Sequence, residues 1–186
     1  MRRRDAILAQ AAELFAARGF HGVSVADLGA ACGISGPALY KHFASKDAML
    51  AELLVSISEE LLEVGQARVA ASQGPGEAIV ALVDWHIEFA LSNRALIVVQ
   101  DRDWSSLPDD ARERVRTLQR EYVDVWATQL QATHSASGLS LARARAMAHV
   151  AFGLINSTPH SGLLPDAQMR GLLRDMALRA LSAQQG

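Results

Sequence analysis

Hydrophobic residues recur every three or four positions along most of the chain, and this spacing is typical of amphipathic helices. Glycine and proline interrupt the pattern at a few places, so that the segments between them have the length of ordinary helices. The pattern predicts helices at 3–18, 24–32, 35–43, 45–71, 75–91, 109–133, 140–156 and 166–183, with a shorter apolar run at 95–99. The sequence therefore predicts an all-α fold.

Two of the predicted helices are short and lie within Ser24–Phe43, SVADLGAACGISGPALYKHF. Ser24 can cap the first helix, and Gly33 can end it in the left-handed conformation. Ser35 and the following Gly-Pro pair can open the second helix, because proline is tolerated in the first turn. The inner side of the first helix is predicted to consist of Val25, Leu28, Ala31 and Cys32. The stretch is typical of a helix-turn-helix, which presents its second helix to the DNA major groove.

The outward face of the second helix carries groups suited to DNA. The only two lysines of the chain, Lys41 and Lys46, lie in this helix or just after it. Phosphate oxygens accept hydrogen bonds from such side chains, and the predicted phosphate donors are Ser24, Tyr40, Lys41, His42 and Lys46. The residues expected nearest the base edges are Ser35, Gly36, Pro37 and Ala38. Few direct base contacts are expected from this set, so DNA shape and thymine methyl groups should supply much of the specificity.

The distribution of charge agrees with a DNA-binding head. Residues 1–47 hold six basic and four acidic side chains, whereas the remaining residues hold twelve and sixteen. A mildly positive head on an acidic body orients a protein on DNA and limits indiscriminate binding. Arg2, Arg3 and Arg4 form either an arm that reaches the phosphates or the minor groove, or a solvated tail.

The chain has one cysteine, so it forms no internal disulfide, and it has no apolar run of the roughly 20 residues that span a membrane. A cytoplasmic protein without a signal peptide or a membrane partner is therefore expected. Cys32 is interpreted as a small buried residue rather than a redox sensor.

The sequence offers no recognisable catalytic, metal or cofactor site. The histidines other than His42 are scattered, at His21, His86, His134, His149 and His160. They match no metal-binding spacing, and there is no phosphate-binding glycine loop or nucleophile elbow. Asp101, Arg102 and Asp103 are interpreted as an exposed helix end with local charge pairing. The chain is not expected to be an enzyme or to carry a cofactor.

Aromatic and polar side chains are concentrated on the apolar helices of the second part of the chain. Such a mixture is typical of a small-molecule pocket, which combines an apolar wall with a few polar anchors. The candidate ligand-binding residues are Trp85, His86, Phe89, Arg102, Trp104, Tyr122, Trp126, His149, Phe152 and Asn156. The alternative is that these residues are simply the hydrophobic core.

The last two predicted helices, at 140–156 and 166–183, have faces that need a close neighbour. The first is rich in alanine and glycine, which let another helix approach. The second carries a stripe of Met169, Leu172, Leu173, Met176, Ala177, Ala180 and Leu181. Two explanations remain open from the pattern alone, namely a core within one chain and a four-helix bundle formed by two chains.

The block from Ile7 to Leu50 resembles the N-terminal domain of TetR-family transcriptional regulators. The features that carry the resemblance are the Ala-rich first helix ending in LF…RGF, the Val-Ser-Val entry, the GIS turn, and LYKHF followed by SKD. Gly36 departs from the family pattern, which often has a polar or basic residue there. The match covers about a quarter of the chain and does not extend beyond residue 60 or so.

The resemblance implies a DNA-binding domain at 1–47, with its motif at 24–43, and a helical regulatory and dimerisation domain at 48–186. A connecting helix at 46–71 would join them. The implied function is a homodimeric repressor, paired through 140–156 and 166–183, that a small-molecule effector releases from a palindromic DNA operator. An apolar effector fits, and an acyl-CoA thioester fits if Arg94 or Arg102 lies at the mouth of the pocket. The alternatives are a helical adaptor that uses the motif for protein contacts and an unrecognised enzyme.

Overall fold

The computed structural model describes residues 3–182, and within that range it contains nine α-helices, three short 3-10 turns and no strand. The predicted all-α fold is confirmed. The helices are α1 (Arg3–Arg18), α2 (Val25–Ala31), α3 (Gly36–Leu39), α4 (Lys46–Ala71), α5 (Pro75–Ser92), α6 (Arg94–Asp103), α7 (Asp109–Thr133), α8 (Leu141–Ile155) and α9 (Asp166–Ser182). None of these described helices is long and apolar enough to cross a membrane.

Most helix boundaries agree with the predicted ones, because glycine, proline and capping residues mark them locally. One clear difference is α3, which ends at Leu39 although a helix was predicted at 35–43. The other is α6, which covers Arg94–Asp103 and so extends beyond the apolar run predicted at 95–99. Polar residues occupy its last turn, so hydrophobic spacing alone did not reveal its full length.

The chain divides into two compact units. The first comprises the residues up to Ile57 together with Arg94–Arg116, and the second comprises Ser58–Asn93 together with the residues from Thr117 onwards. Helices α4 and α7 therefore each contribute residues to both units. No local sequence pattern indicated that residues 94–116 belong to the same unit as α1. The functional domains expected at 1–47 and 48–186 stay a prediction.

The first unit is built around one hydrophobic core to which α1, α2, α3, the start of α4 and the segment 94–116 all contribute. Its fully buried members include Phe15, Leu28, Met49, Leu50, Leu54, Val99 and Val115. Helix α6 packs along α1. Helices α1, α2 and α3 thus share a core with a segment that follows them by about fifty residues.

The second unit contains the rest of α4, α5, most of α7, α8 and α9. Helix α9 packs against both α5 and α8. The largest fully buried side chains are Leu82, Ile87, Trp126, Leu130 and Ile155. The inward positions of α9 are Met169, Leu173, Ala177 and Leu181, which are four residues apart and therefore lie on one side of the helix.

Candidate nucleic-acid interface and effector site

Helix α2 begins with a capping box. The Ser24 hydroxyl oxygen accepts the backbone N–H of Asp27 at 3.1 Å, and the Asp27 carboxylate accepts the backbone N–H of Ser24 at 2.8 Å. The Ser24 hydroxyl also donates to this carboxylate. These hydrogen bonds hold the pKa of Asp27 below its usual value, with a smaller contribution from the Arg18 charge. The Ser24 hydroxyl proton is thus already donated to the negatively charged Asp27 carboxylate. Ser24 is therefore a weaker hydrogen-bond donor to a DNA phosphate.

The turn after α2 has the geometry predicted for it. Gly33 has a φ of +64°, and the backbone N–H of Ile34 donates to the carbonyl of Gly29 at 2.9 Å. This is the Schellman arrangement, in which a left-handed glycine lets the last carbonyls of the helix find donors. The prediction that Ala31 faces inward is wrong. Ala31 is exposed, because only the Leu28 side of this short helix meets the core.

The packing of the turn depends on Gly29, which the sequence analysis missed. A Cβ atom at this position would lie 2.8 Å from the Ile34 carbonyl oxygen and 3.1 Å from the Gly36 nitrogen. Real Cβ atoms essentially never come this close to backbone, so a larger residue would push the turn away from α2. A glycine inside a short helix, where it is intrinsically unfavourable, was the available signal.

Helix α3 is a single turn that presents a small exposed face. The Ser35 hydroxyl caps it by accepting the N–H of Ala38 at 3.3 Å. Leu39 and Phe43 are buried at 2% and 4% exposure, as the spacing predicted, and anchor the segment in the core. The exposed members of the candidate DNA-binding set around this turn are Ser35, Pro37, Tyr40 and Lys41, while Gly36, Ala38 and His42 are half-buried.

The ammonium group of Lys46 is bound within the chain. It donates to the carbonyl oxygens of Phe20 at 2.8 Å and Val23 at 2.9 Å, and it lies 4.2 Å from the centre of the Phe20 ring. These contacts fasten the turn that leads from α1 into α2. Lys46 therefore has a structural role that the sequence analysis did not foresee, and two of its three N–H groups are already used.

Arg4 is not part of a free N-terminal arm. Its guanidinium group pairs with the Glu52 carboxylate, donates to the His42 carbonyl oxygen and lies 4.2 Å from the centre of the Phe43 ring. Arg4 thus ties α1 to α4 and to the end of the helix-turn-helix. Of the other arginines in the predicted arm, Arg3 begins α1 and is exposed, and Arg2 lies outside the described residues.

Arg102 and Asp103 hold the end of α1. Asp101 and Arg102 are exposed and Arg102 pairs with Asp103, as predicted for an exposed helix end with local charge pairing, but the predicted exposure of Asp103 is wrong. Asp103 is only 6% exposed, and its carboxylate accepts hydrogen bonds from Arg102. The same guanidinium group donates to the carbonyl oxygens of Phe15 and Ala16. The last carbonyl groups of a helix lack hydrogen-bond donors within that helix. Arg102, which lies in α6, supplies donors to two of these carbonyl groups in α1.

An aromatic cluster forms in the second unit from residues of α5, α7 and α8. The ring of Phe152 stacks on His86 with centroids 4.7 Å apart and on Tyr122 with centroids 5.4 Å apart. It meets the Trp126 ring edge-on, with centroids 5.0 Å apart. Seven of the ten candidate ligand-binding residues meet here, namely His86, Phe89, Tyr122, Trp126, His149, Phe152 and Asn156. We refer to these seven residues as the aromatic cluster.

The other three candidates have separate contacts. Trp85 is buried in the same unit and its indole N–H donates to the Leu61 carbonyl oxygen at 3.4 Å. Arg102 and Trp104 belong to the first unit. Arg102 holds α1 there, and the Trp104 ring has the Arg116 guanidinium group 5.7 Å from its centre. These three residues therefore lie outside the aromatic cluster.

A chain of hydrogen bonds runs through the aromatic cluster. The two ring nitrogens of His86 lie 3.3 Å from the Tyr122 hydroxyl and 3.2 Å from the Asn156 amide oxygen. Burial lowers the pKa of His86 from 6.5 to about 4, so the ring is neutral at pH 7. Burial likewise raises the pKa of Tyr122. His86 and Tyr122 are therefore both uncharged at neutral pH.

Close packing of α4 against α7 depends on Gly65, a second glycine that the sequence analysis missed. A Cβ atom there would lie 2.7 Å from a ring carbon of Tyr122. Gly65 thus lets the Tyr122 ring lie directly on the backbone of α4 and helps to fix its position in the cluster.

The described residues include no group of three or more histidine, cysteine, aspartate or glutamate side chains arranged to hold a metal ion. The two candidate functional features are the helix-turn-helix in the first unit and the aromatic cluster in the second.

Family models match both parts of the chain. Residues 7–53 match the model of bacterial regulatory proteins of the tetR family, and residues 72–181 match that of the tetracyclin repressor-like C-terminal domain. The chain belongs to the TetR family. Membership supports a transcriptional regulator over the helical adaptor and the enzyme that the sequence left open. The resemblance of the N-terminal part is confirmed, and the second model extends it over the C-terminal part.

Other TetR-family proteins resemble this chain along most of its length. The transcriptional repressor KstR2 of Rhodococcus jostii is 30% identical over 131 residues, which are 70% of this chain and 64% of that protein, or less than two thirds of its length. A TetR-family regulator from Bordetella parapertussis is 27% identical with a TM-score of 0.82 over 96% of this chain and 93% of that one. AibR, solved with isovaleryl coenzyme A and operator DNA, is 23% identical with a TM-score of 0.73 over 94% and 97%.

We predict that this TetR-family protein loses stability in mild acid, because His86 is buried in its neutral form. Between pH 6.5 and about 4 the unfolded chain binds a proton at this histidine and the folded chain does not, so the free energy of unfolding falls as the pH falls. The loss grows by about 1.4 kcal/mol per pH unit towards roughly 3 kcal/mol. We expect His86→Gln to remove this part of the pH dependence in urea titrations.

His149→Gln is the matched control, because His149 belongs to the same cluster but is exposed on α8. It should keep the wild-type pH dependence. If His86→Gln and wild type lose stability in parallel between pH 6.5 and 4, His86 is not buried in its neutral form.

Proposed function

We propose that the protein is a homodimeric transcriptional repressor that binds a palindromic DNA operator and leaves it when a small molecule binds the second unit. The observation that carries this proposal is the rigid helix-turn-helix with its exposed turn. Capping at Ser24, the left-handed Gly33 and the anchors Leu39 and Phe43 fix the orientation of α3. A reading helix needs such a fixed orientation, because base edges and phosphates are recognised at hydrogen-bond distances.

The proposed contact set follows from exposure and from the bonds already made within the chain. Tyr40 is 55% exposed and Lys41 is exposed, so both can reach phosphates. Pro37 and Ala38 present apolar surface suited to thymine methyl groups. Ser35, Gly36 and His42 complete the set around the turn. Ser24 and Lys46 remain in the proposed contact set. Each also has a structural role, because its side chain donates hydrogen bonds within the chain.

Two charge-removing variants test this assignment. Lys41→Gln should weaken binding to every duplex and lower the slope of log K against log salt by about 0.9 for each bound protomer, because one phosphate contact is lost. Its free energy of unfolding should stay at the wild-type value. Both quantities are measured, by fluorescence anisotropy over a salt series and by urea titration.

Lys46→Gln removes the same charge from a different setting. Because it breaks two charged hydrogen bonds to carbonyl oxygens, it should also lower the free energy of unfolding by about 2 kcal/mol. An unchanged salt slope for Lys46→Gln would restrict Lys46 to its structural role. An unchanged slope for Lys41→Gln would remove Lys41 from the interface.

The outward faces of α8 and α9 support a homodimer. Four large apolar side chains on these helices are exposed, namely Leu141 at 41%, Val150 at 62%, Leu172 at 45% and Met176 at 48%. Ala146 and Gly153 on α8 are exposed as well and allow a second helix to come close. Apolar helix faces of this kind are typical of a four-helix bundle made by two chains. The proposed dimer would set the two α3 helices one DNA turn, about 34–36 Å, apart.

The aromatic cluster is the proposed effector site. Its rings offer an apolar wall, and its polar groups offer a few anchors. AibR was solved with isovaleryl coenzyme A, which supports an acyl-CoA or another apolar small molecule as the effector here. Binding would act on the operator through α4 and α7, the helices that contribute to both units. The repressor would work in the cytoplasm, where its DNA lies.

A further inference from the structure

The indole N–H of Trp126 is a buried hydrogen-bond donor without an acceptor. Trp126 is fully buried, and its ring centroid lies 6.0 Å from that of His86 and 5.0 Å from that of Phe152. None of the described residues accepts its Nε1–H in hydrogen-bond geometry. Buried donors are nearly always paired in folded proteins, and an unpaired one in a candidate binding site points to a partner from outside the chain.

The neighbouring polar groups are occupied with one another. With the Asn156 amide oxygen as acceptor, His86 donates from Nε2, and its Nδ1 then accepts the Tyr122 hydroxyl proton. The Trp126 N–H lies near the Tyr122 oxygen, where it opposes the rise in the Tyr122 pKa that burial causes. It still does not form a hydrogen bond to that oxygen. The chain of hydrogen bonds is therefore complete without Trp126, whose donor stays open.

Two charged groups on the surrounding helices are paired elsewhere. Asp84 of α5 pairs with Arg174 at 2.7 Å, and Asp124 of α7 pairs with Arg145 at 2.6 Å. The rings around Trp126 are those of His86, Tyr122 and Phe152, and all three are neutral at pH 7. An anion buried among neutral groups would lose its hydration without a counter-charge. A neutral acceptor loses much less, so the site favours an uncharged oxygen.

We propose that Trp126 Nε1–H binds the carbonyl oxygen of the effector, and that the rings of His86 and Phe152 lie against its apolar part. This inference rests on the proposed function, because it identifies the chemistry of the effector. The carbonyl belongs either to a free ketone or to the thioester of an acyl-CoA. In both cases the recognised atom is an uncharged acceptor.

The test is an NMR measurement on the full-length wild-type protein with ¹⁵N-labelled tryptophan. The chain has three tryptophans, Trp85, Trp104 and Trp126. Their indole signals are assigned with the Trp85→Phe, Trp104→Phe and Trp126→Phe variants. The probes are cyclohexanone and methylenecyclohexane, which have the same shape but differ in the acceptor oxygen. Isovaleryl-CoA is the thioester probe.

Cyclohexanone should move the Trp126 indole proton downfield, and methylenecyclohexane should not. The ketone should also bind about tenfold more tightly than the hydrocarbon, as expected for one hydrogen bond to a buried donor. This preference should disappear in Trp126→Phe. The Trp85 signal is an internal control, because its N–H already donates to Leu61. A larger shift with isovaleryl-CoA than with cyclohexanone assigns the carbonyl to a thioester, and the reverse assigns it to a ketone.

The inference is overturned if the Trp126 proton stays in place with the carbonyl probes, or moves equally with methylenecyclohexane. Operator binding is measured on the same samples. A failure of the proposed carbonyl site can therefore be distinguished from a failure of the proposed repressor function. DNA binding without an indole response overturns the carbonyl site alone. An indole response in a protein that binds no DNA overturns the repressor and leaves the carbonyl site standing.

Discussion

Gly29→Val should strongly weaken operator binding while leaving most of the protein folded. The Cβ atom alone would lie 2.8 Å from the Ile34 carbonyl oxygen, and the two methyl groups of valine need still more room. The turn must therefore move away from α2, which changes the direction of α3. We expect a loss of about 1–3 kcal/mol in the free energy of unfolding, as for other overpacked sites. Operator affinity should fall at least tenfold, because α3 no longer enters the groove in register.

Ala30→Val is the matched control, since it places the same side chain on the adjacent residue of α2. Ala30 is exposed, so the added methyl groups meet solvent. This variant should keep wild-type affinity and lose only the few tenths of a kcal/mol that a β-branched residue costs in a helix. Equal operator affinities for Gly29→Val and Ala30→Val would show that the orientation of α3 does not depend on this contact.

Replacing Leu172 and Met176 by glutamate should convert the dimer into a monomer. The two residues lie one turn apart on α9 and are 45% and 48% exposed. Four buried carboxylates across a two-fold axis would repel and lose hydration, so the proposed bundle cannot form. A monomer binds one half-site and loses the gain from linked binding, which is about 10²–10⁴. Operator affinity should fall by at least a hundredfold.

Leu163→Glu is the control for this pair. Leu163 is 90% exposed in the loop between α8 and α9, outside both helical faces. It introduces the same charge and should leave the dimer intact in analytical ultracentrifugation. A dimer that survives in Leu172→Glu/Met176→Glu would show that α9 is not the interface.

The parts of the site that the sequence predicted are those that local rules determine. Ser24 precedes its helix as a capping residue, and Gly33 ends it in the left-handed conformation. Pro37 stands in the first turn of α3, where proline is tolerated. Each of these features involves residues a few positions apart. Such features are therefore visible in the sequence without knowledge of the tertiary structure.

The parts that the sequence did not predict depend on residues far apart in the chain. Arg102 binds the end of α1 across more than eighty positions, and Arg4 binds Glu52. Nothing in the local pattern around Arg102 distinguishes this role from a surface charge. For the same reason Arg102 was expected at a ligand pocket, although it lies in the first unit.

The aromatic cluster could be predicted from the sequence only in part. Its members were selected individually, as aromatic or polar residues on apolar helices. Their contacts, such as the stacking of His86 on Phe152, depend on how α5 and α8 pack. The close approach of Tyr122 to α4 needed Gly65, whose importance only the tertiary structure reveals.

Two protomers are expected to bind DNA with sequence specificity and with an affinity that depends on salt. The decisive measurement is a titration of the wild-type protein against the DNA that flanks its own gene and against a shuffled duplex of equal length, over a series of salt concentrations. We predict saturation at two protomers per site, at least a thousandfold preference for the native DNA, and an affinity that falls steeply with salt. Equal affinity for the two duplexes would contradict sequence-specific binding, and binding that does not change with salt would contradict contacts to the phosphates.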